Sequence, residues 1–284
     1  MSEAHTIAYE PRLAAAPQRF VFGGVGYELY LRGLEWMLTD EDLLLFGPGS
    51  GDAVARVHCV VAAAPELQLE RSREISWRWS GPTCQVRAGR ARAELRDIGQ
   101  GRFAASALMA PDATGSAALA TALTTCVVTR LGGFCLHAAA IELDGRAVLF
   151  LGPSGAGKTT AANHCRGARV LARDRVVVYP TARGWFAAGL TGGEASLLPS
   201  AEPRALPLGA VLRVVRRRET GVSDLSGSAG LAALRESIQS PASSSSEQEL
   251  LRRALELSAS TYVGQAAVVL GEDLSPHCQE LLDV

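Results

Sequence analysis

Residues 134–159 read FCLHAAAIELDGRAVLFLGPSGAGKT, and two signals follow each other within them. Two apolar runs flank Asp144-Gly145, a dipeptide that accepts the positive φ angles of a type I′ turn, so the spacing predicts a β-hairpin. Its second run, Ala147–Leu151, leads straight into Gly152-Pro153-Ser154-Gly155-Ala156-Gly157-Lys158-Thr159. That segment matches G-x-x-x-x-G-K-[ST] in full, with a strand before it and a predicted helix from Lys158 to about Arg166 after it. Glycines let the backbone wrap a phosphate with its N–H groups turned inward, and a helix N-terminus adds donors and partial positive charge. The pattern points to a nucleoside triphosphate held by Gly152, Pro153, Ser154, Gly155, Ala156, Gly157, Lys158, Thr159 and Thr160. Lys158 would reach the β- and γ-phosphates, and the Thr159 hydroxyl would bind Mg²⁺. Of the 28 basic residues Lys158 is the single lysine. An N-K-x-D segment for reading guanine therefore cannot exist. The residues after AAVVL, Gly271-Glu272-Asp273, lack the rest of an ABC-type ATPase signature and read as a solvated loop.

Outward from this stretch, the chain divides by composition. Residues 1–17 are polar and rich in Ala and Pro and read as a loose arm. From 18 to 114, short apolar runs alternate with turn signals: RFVFGGVGYELYLRG, DEDLLLFGPGSGD, ARVHCVVAAAPELQLE, EISWRWSGPTCQVRAG. These predict a β-rich N-terminal domain built on an antiparallel sheet. Ile75, Trp77 and Trp79 alternate with Ser76, Arg78 and Ser80, which makes the tryptophans sheet core before they are a ligand platform. Residues 115–284 form the second unit. A helix is expected over Gly115–Leu131, capped by Ser116 and ended by Gly132-Gly133. Strands are expected at RVLARDRVVVYP, GWFAAGL, PLGAVLRVVRR and QAAVVL. Helices are expected over Glu247–Ser258 and at SPHCQELL, with Ser275 as cap and Pro276 in first position. SIQSPASSSSEQ, around Pro241, is a Ser-rich loop.

The totals narrow the function. The chain has 284 residues, 48% apolar and 20% charged, with a formal charge of −1. That suits a folded protein of one or two domains. Near-zero charge argues against a nucleic-acid partner, and no apolar run reaches the roughly 18 residues of a membrane span. Six scattered cysteines without C-x-x-C spacing, and no basic-then-apolar leader, predict a cytoplasmic protein. His58-Cys59 and His277-Cys278 lack further ligands and read as structural. Arg216-Arg217-Arg218 reads as a solvated strand end, with an acidic peptide or a neighbouring subunit as the alternative.

The segment from Leu136 to Val176 resembles the catalytic domain of HPr kinase/phosphorylase and its relatives, of the PEP-carboxykinase-like P-loop class. The resemblance rests on Leu136-His137-Ala138, the hairpin into the glycine loop, and Arg166-Gly167 followed by Leu171 and Asp174. Leu206–Val211 is similar to the strand that follows the active-site region in small relatives. It implies an α/β fold with a mixed sheet and transfer of the γ-phosphate of ATP, with Mg²⁺, to a Ser or Thr hydroxyl. The acceptor would be a peptide or small protein, and relatives encoded beside peptide-modifying enzymes suggest a ribosomal peptide. A homo-oligomer stays open.

Two departures stand out. The first Asp of the family's Asp-Asp pair, implied to be the general base, is Arg173 here, while the second is kept as Asp174. The later Glu-x-Arg-Gly signature is missing, and with it the implied phosphorylase activity. Only Glu194 supplies an acid in Thr191–Ser200. Arg173 could stabilise charge on the transferred group, could silence transfer, or could be a strand-end charge one residue out of register. The expected roles are Asp174 as metal ligand and base, Thr159 as metal ligand, and His137 and Arg173 beside the γ-phosphate. The alternatives are a nucleotide-gated recruitment module that never transfers phosphate, and a small-molecule kinase.

Overall fold

The computed structural model describes residues 18–32, 53–69, 75–190, 205–239 and 247–283. The predicted arm, all of DEDLLLFGPGSGD, Thr191–Ser200 with Glu194, and the centre of the Ser-rich loop with Pro241 lie outside them.

Seven strands form the first sheet: β1 (Gln18–Phe22), β2 (Val25–Arg32), β3 (Ala55–Ala63), β4 (Ile75–Ser80), β5 (Thr83–Ala88), β6 (Ala91–Gly99) and β7 (Arg102–Met109). Their order is β1-β2-β3-β7-β6-β5-β4. The expected antiparallel sheet is in fact mixed, because β3 runs parallel to both β2 and β7. Strand alternation is visible in sequence, but the partner of each strand is not. Along β3, β5, β6 and β7 burial alternates strictly enough to leave one face in and one face out. Trp77 lies on the inner face, buried, as its spacing predicted.

The inner face packs on α1 (Ala113–Arg130). This helix is buried along most of its length, its Thr121, Thr124, Thr125 and Thr129 included, and it is covered on both sides: its core includes Val57, Val86 and Leu95 from the first sheet and Cys135, Val177 and Tyr179 from the second. A helix with no exposed stripe needs such double cover. Its cap is Asp112, whose carboxylate accepts from the Gly115 N–H at 2.7 Å, rather than the expected Ser116. The helix ends at Gly132 (φ +95°), as predicted.

The second sheet holds β8 (Phe134–Leu143), β9 (Arg146–Leu151), β10 (Arg169–Ala172), β11 (Arg175–Thr181), β12 (Gly184–Gly189), β13 (Leu206–Val215), β14 (Gly221–Asp224) and β15 (Tyr262–Ala267). It is mixed as well: β13 is parallel to β9 and β15, and the other pairings are antiparallel. The β8–β9 hairpin turns at Asp144 (φ 49°) and Gly145 (φ 73°), the predicted geometry. Helices cover both faces. Alternate residues of β8, β9 and β11 enter one core with α3 (Gly227–Ser237) and α4 (Glu247–Ser260). The opposite face is shared between the α1 core and a third core under α2 (Lys158–Asn163) and α5 (Ser275–Leu282).

Several boundaries move. RVLARDRVVVYP is two strands, broken at Arg173-Asp174, because β8 pairs with β11 through its first half and with β10 through its second. The helix α2 stops at Asn163, short of Arg166, and β15 starts at Tyr262, earlier than QAAVVL. Ser275 lies inside α5, not before it. Its N–H is held by the Asp273 carboxylate at 2.9 Å, so Asp273 is a structural anchor and not merely a solvated loop residue. Strand β14 and helix α3 had no counterpart in the sequence reading.

Candidate functional site

β9 is the innermost support of the site, with Ala147–Leu151 all buried between β8 and β13. The chain leaves it at Gly152 (φ +146°) and passes Gly155 (φ +77°) and Gly157 (φ +97°) before entering α2. A Cβ on Gly152 would lie 2.9 Å from that of Ala156, so the loop closes too tightly there for a side chain. At Gly155 a Cβ would meet nothing within 4 Å, and the loop faces open space. The Ala156 N–H donates to the Pro153 carbonyl at 3.1 Å and holds the turn.

Lys158 is the first residue of α2 and is buried. Its ammonium donates to the carbonyls of Gly152 (2.9 Å) and Pro153 (3.1 Å). Burial lowers its pKa, and the Asp174 carboxylate opposes that shift. Desolvation penalises an ammonium whose company is two neutral carbonyls. Beside it, the Thr159 hydroxyl reaches the Arg173 carbonyl at 3.5 Å, so the loop's helix abuts the break between β10 and β11.

That break carries the acidic group. The Asp174 carbonyl accepts from the Ala138 N–H at 3.0 Å, which ties the bend to β8. Its side chain is 66% exposed, with Oδ1 2.9 Å from His137 Nδ1 and Oδ2 3.7 Å from Arg175 Nε. Arg175 sits directly opposite His137 in the β11–β8 register, so both project on one face. On β8 that face passes from Cys135, in the α1 core, through His137 to Ala139, in the α2 core. The site therefore occupies the gap between two covering layers, where a polar side chain can remain partly wet.

Of the residues singled out from sequence, Lys158, Thr159, His137 and Asp174 are brought together. Arg173 contributes its carbonyl, and its side chain is exposed. Gly152 and Pro153 serve as acceptors for Lys158. Arg175 was missed. Its Nε is buried with no hydrogen-bond partner, yet in sequence it is one charge at the head of a valine run. The only available signal was its position next to Asp174. His58 binds Glu28 (2.7 Å) on the first sheet and Arg216–Arg218 are exposed, both as read. Among the described residues, no group of three or more His, Cys, Asp or Glu is placed to hold a metal ion. Among them, too, no helix is long and apolar enough to cross a membrane.

The far end of α2 is anchored independently. His164 Nδ1 donates to the Thr160 carbonyl (2.8 Å), because its Nε2 accepts from the Gly271 N–H (3.2 Å). The Asp273 carboxylate accepts from the Arg166 N–H at 3.0 Å as well as from Ser275. The N–H of Ser275, its hydroxyl and the Arg166 N–H hold this carboxyl below its usual range. A backbone clamp from residues 271–275 thus fixes the helix whose first turn carries Lys158 and Thr159.

Comparison with curated proteins returns no match. The family model of ScmC, the SynChlorMet cassette protein ScmC, matches residues 116–259, a span that runs from α1 to α4 and contains every residue of this site. That span is more than half of the 284 residues, and the chain belongs to the ScmC family.

Proposed function

We propose that the chain is an ATP- and Mg²⁺-dependent kinase of the HPr kinase-like, PEP-carboxykinase-like P-loop class, acting on a Ser or Thr hydroxyl of a peptide or small protein. The observation that carries this reading is the convergence of Lys158, Thr159, Asp174 and His137 at one end of β9, around a glycine loop open at Gly155. The residues suit the groups they would receive. The Lys158 side chain donates to two carbonyls, so an arriving phosphate offers it a better partner. Thr159 and Asp174 would hold Mg²⁺ with the rest of its shell from phosphate and water, and the ion would neutralise phosphate charge.

The Asp174–His137 pair answers the loss of the family's first Asp. With Nδ1–H donated to Asp174 Oδ1, a neutral imidazole keeps Nε2 as its proton acceptor. His137 then takes the acceptor hydroxyl's proton, and Asp174 orients the ring and stabilises the imidazolium formed. The Arg175 guanidinium, opposite His137, adds positive charge where the transferred oxygens gather.

Incubation with Mg²⁺-ATP, followed by nucleotide chromatography and intact mass, tests the reading. Lys158→Ala should lower ADP formation by at least about a hundredfold, since positioning and electrostatics carry phosphoryl transfer. Unchanged turnover in that variant sinks it. Arg173, exposed at the position implied for the base, favours a second reading, a nucleotide-binding module without transfer. Under that reading wild type binds ATP without forming ADP, and Arg173→Asp restores hydrolysis.

A further inference from the structure

All six cysteines are buried thiols, and four of them meet in two pairs. One pair joins the first sheet to α1. In the β4–β5 register Trp79 stands directly opposite Cys84, so the two side chains are neighbours on the inner face. On α1, Cys126 and Arg130 are one helical turn apart and share a helix face. Arg130 Cζ sits 4.7 Å from the centre of the Trp79 ring, and its Nε donates to Asp97 at 3.0 Å. With Arg130 over Trp79, the preceding turn sets Cys126 over Cys84, and the two thiols hydrogen-bond to each other inside the α1 core.

The two sulfurs are not alike. The Cys126 thiol, the Arg78 backbone and the Arg130 guanidinium hold the Cys84 thiol below its ordinary pKa, while burial pushes Cys126 up. Cys84 therefore ionises first, and a thiolate beside a cation is the nucleophilic form of cysteine. The Arg130 side chain is 38% exposed and Trp79 is half-buried, so the cover over Cys84 itself reaches solvent. The other pair, Cys165 just after α2 and Cys278 of α5, is set differently. There the Cys278 contact, burial and the Asp273 charge all push the Cys165 thiol up. Cys59 and Cys135 are pushed up as well, to about 12 and about 11, chiefly by burial.

We propose that Cys84 and Cys126, beneath Arg130, are a redox-active dithiol that a hydroperoxide converts to a disulfide joining β5 to α1. The Cys84 thiolate attacks the peroxide: an S–O bond forms, the O–O bond breaks, and the released alkoxide or hydroxide takes a proton from solvent. Cys126 then attacks the sulfenic acid; the S–S bond forms, and hydroxide leaves with the Cys126 proton as water. The two sulfurs together lose two electrons and the peroxide gains them, and a dithiol reductant reverses the change by exchange. The bond fixes the first sheet to the helix whose other side packs on the second sheet. This chemistry is independent of phosphoryl transfer: Lys158→Ala leaves it unchanged.

The test treats the reduced full chain with hydrogen peroxide, removes the oxidant with catalase, alkylates the remaining thiols in denaturant and maps the peptides without reductant. The expected product is a Cys84–Cys126 cross-link that dithiothreitol reverses, with Cys165 and Cys278 still alkylated. Cys126→Ser should stop the reaction at a Cys84 sulfenic acid, captured by dimedone. Arg130→Gln should slow cross-linking at neutral pH about threefold or more and move its rate–pH profile upward. Oxidised wild type should melt above the reduced protein, because the cross-link restricts the unfolded chain. The wild-type peptide map decides by itself if Cys126→Ser fails to fold. No cross-link, a Cys165–Cys278 cross-link in its place, or an unchanged rate in Arg130→Gln overturns the inference.

Discussion

Along β6, Ala91, Ala93 and Leu95 are buried while Arg92, Glu94 and Arg96 are exposed; along β9 every residue from Ala147 to Leu151 is buried. The first sheet has one covered face and can place charge at every second position. The second is covered on both faces where β8, β9 and β11 lie, so its charged groups are pushed to strand ends and breaks. His137 stays within β8, while Asp174 at the break and Arg175 at the start of β11 are charges so displaced, and the three collect beside the glycine loop. One sheet spreads its polar chemistry over a surface, and the other concentrates it at a point.

Substitutions that separate the two sheets should show this difference. Phe150, fully buried in β9, is the severe case: Phe150→Ala should cost about 3–5 kcal/mol, read as a lowered denaturation midpoint. A loss below 1 kcal/mol would mean the second sheet is not the tighter core. On the covered face of the first sheet, the Tyr27 hydroxyl meets Thr124 of α1 at 2.5 Å, and burial pushes its pKa up. Tyr27→Phe should cost about 1–2 kcal/mol, because the Thr124 hydroxyl loses a buried partner. No change in urea unfolding would show that α1 is held to that sheet by apolar packing alone.

The clamp on α2 brings a pH dependence with a definite sign. The Asp273 pKa is lowered in the folded state, so its contribution is complete above the unfolded value of about 3.9 and fades as pH falls through the folded one. Asp273→Asn should therefore lower the melting temperature near pH 7, and the gap to wild type should narrow as the pH falls below about 3.9 and close once it is below the lowered folded-state pKa. A gap that persists unchanged into acid would assign the loss to packing instead. Smallest of all, Ser106→Ala on the exposed face should change stability by less than about 0.5 kcal/mol, measured by the same unfolding series.

Local patterns were legible where a single residue type dictates backbone geometry. Asp144-Gly145 could only turn a hairpin of this kind, and Gly132 ended α1 because it tolerates φ +95°. The alternation of Ile75, Trp77 and Trp79 with small and charged neighbours announced a one-sided strand. Capping was less legible, since Asp112 and Ser116 both offer an oxygen near the start of α1, and only the Gly115 N–H distance chooses. At α5 the capping oxygen came from Asp273, placed there by contacts with Arg166 more than a hundred residues earlier.

The candidate site divides the same way. Gly152–Thr159 is continuous, so its loop conformation and the burial of β9 beneath it follow from neighbours in the chain. Everything around it is assembled from elsewhere. His137 meets Asp174 because β8 pairs antiparallel with β11, and Arg173-Asp174 bends outward because β8 changes partner at that point. Arg175 gains meaning only opposite His137, a pairing that nothing in RVVVYP encodes. Likewise, the arginines of the first sheet form one surface because parallel β3 lies against β7, an order the runs themselves do not specify. Sequence periodicity determines which face of a strand is wet, because the pleat is a local property. Which charges share that wet surface depends on non-local strand pairing, and only the folded chain settles it.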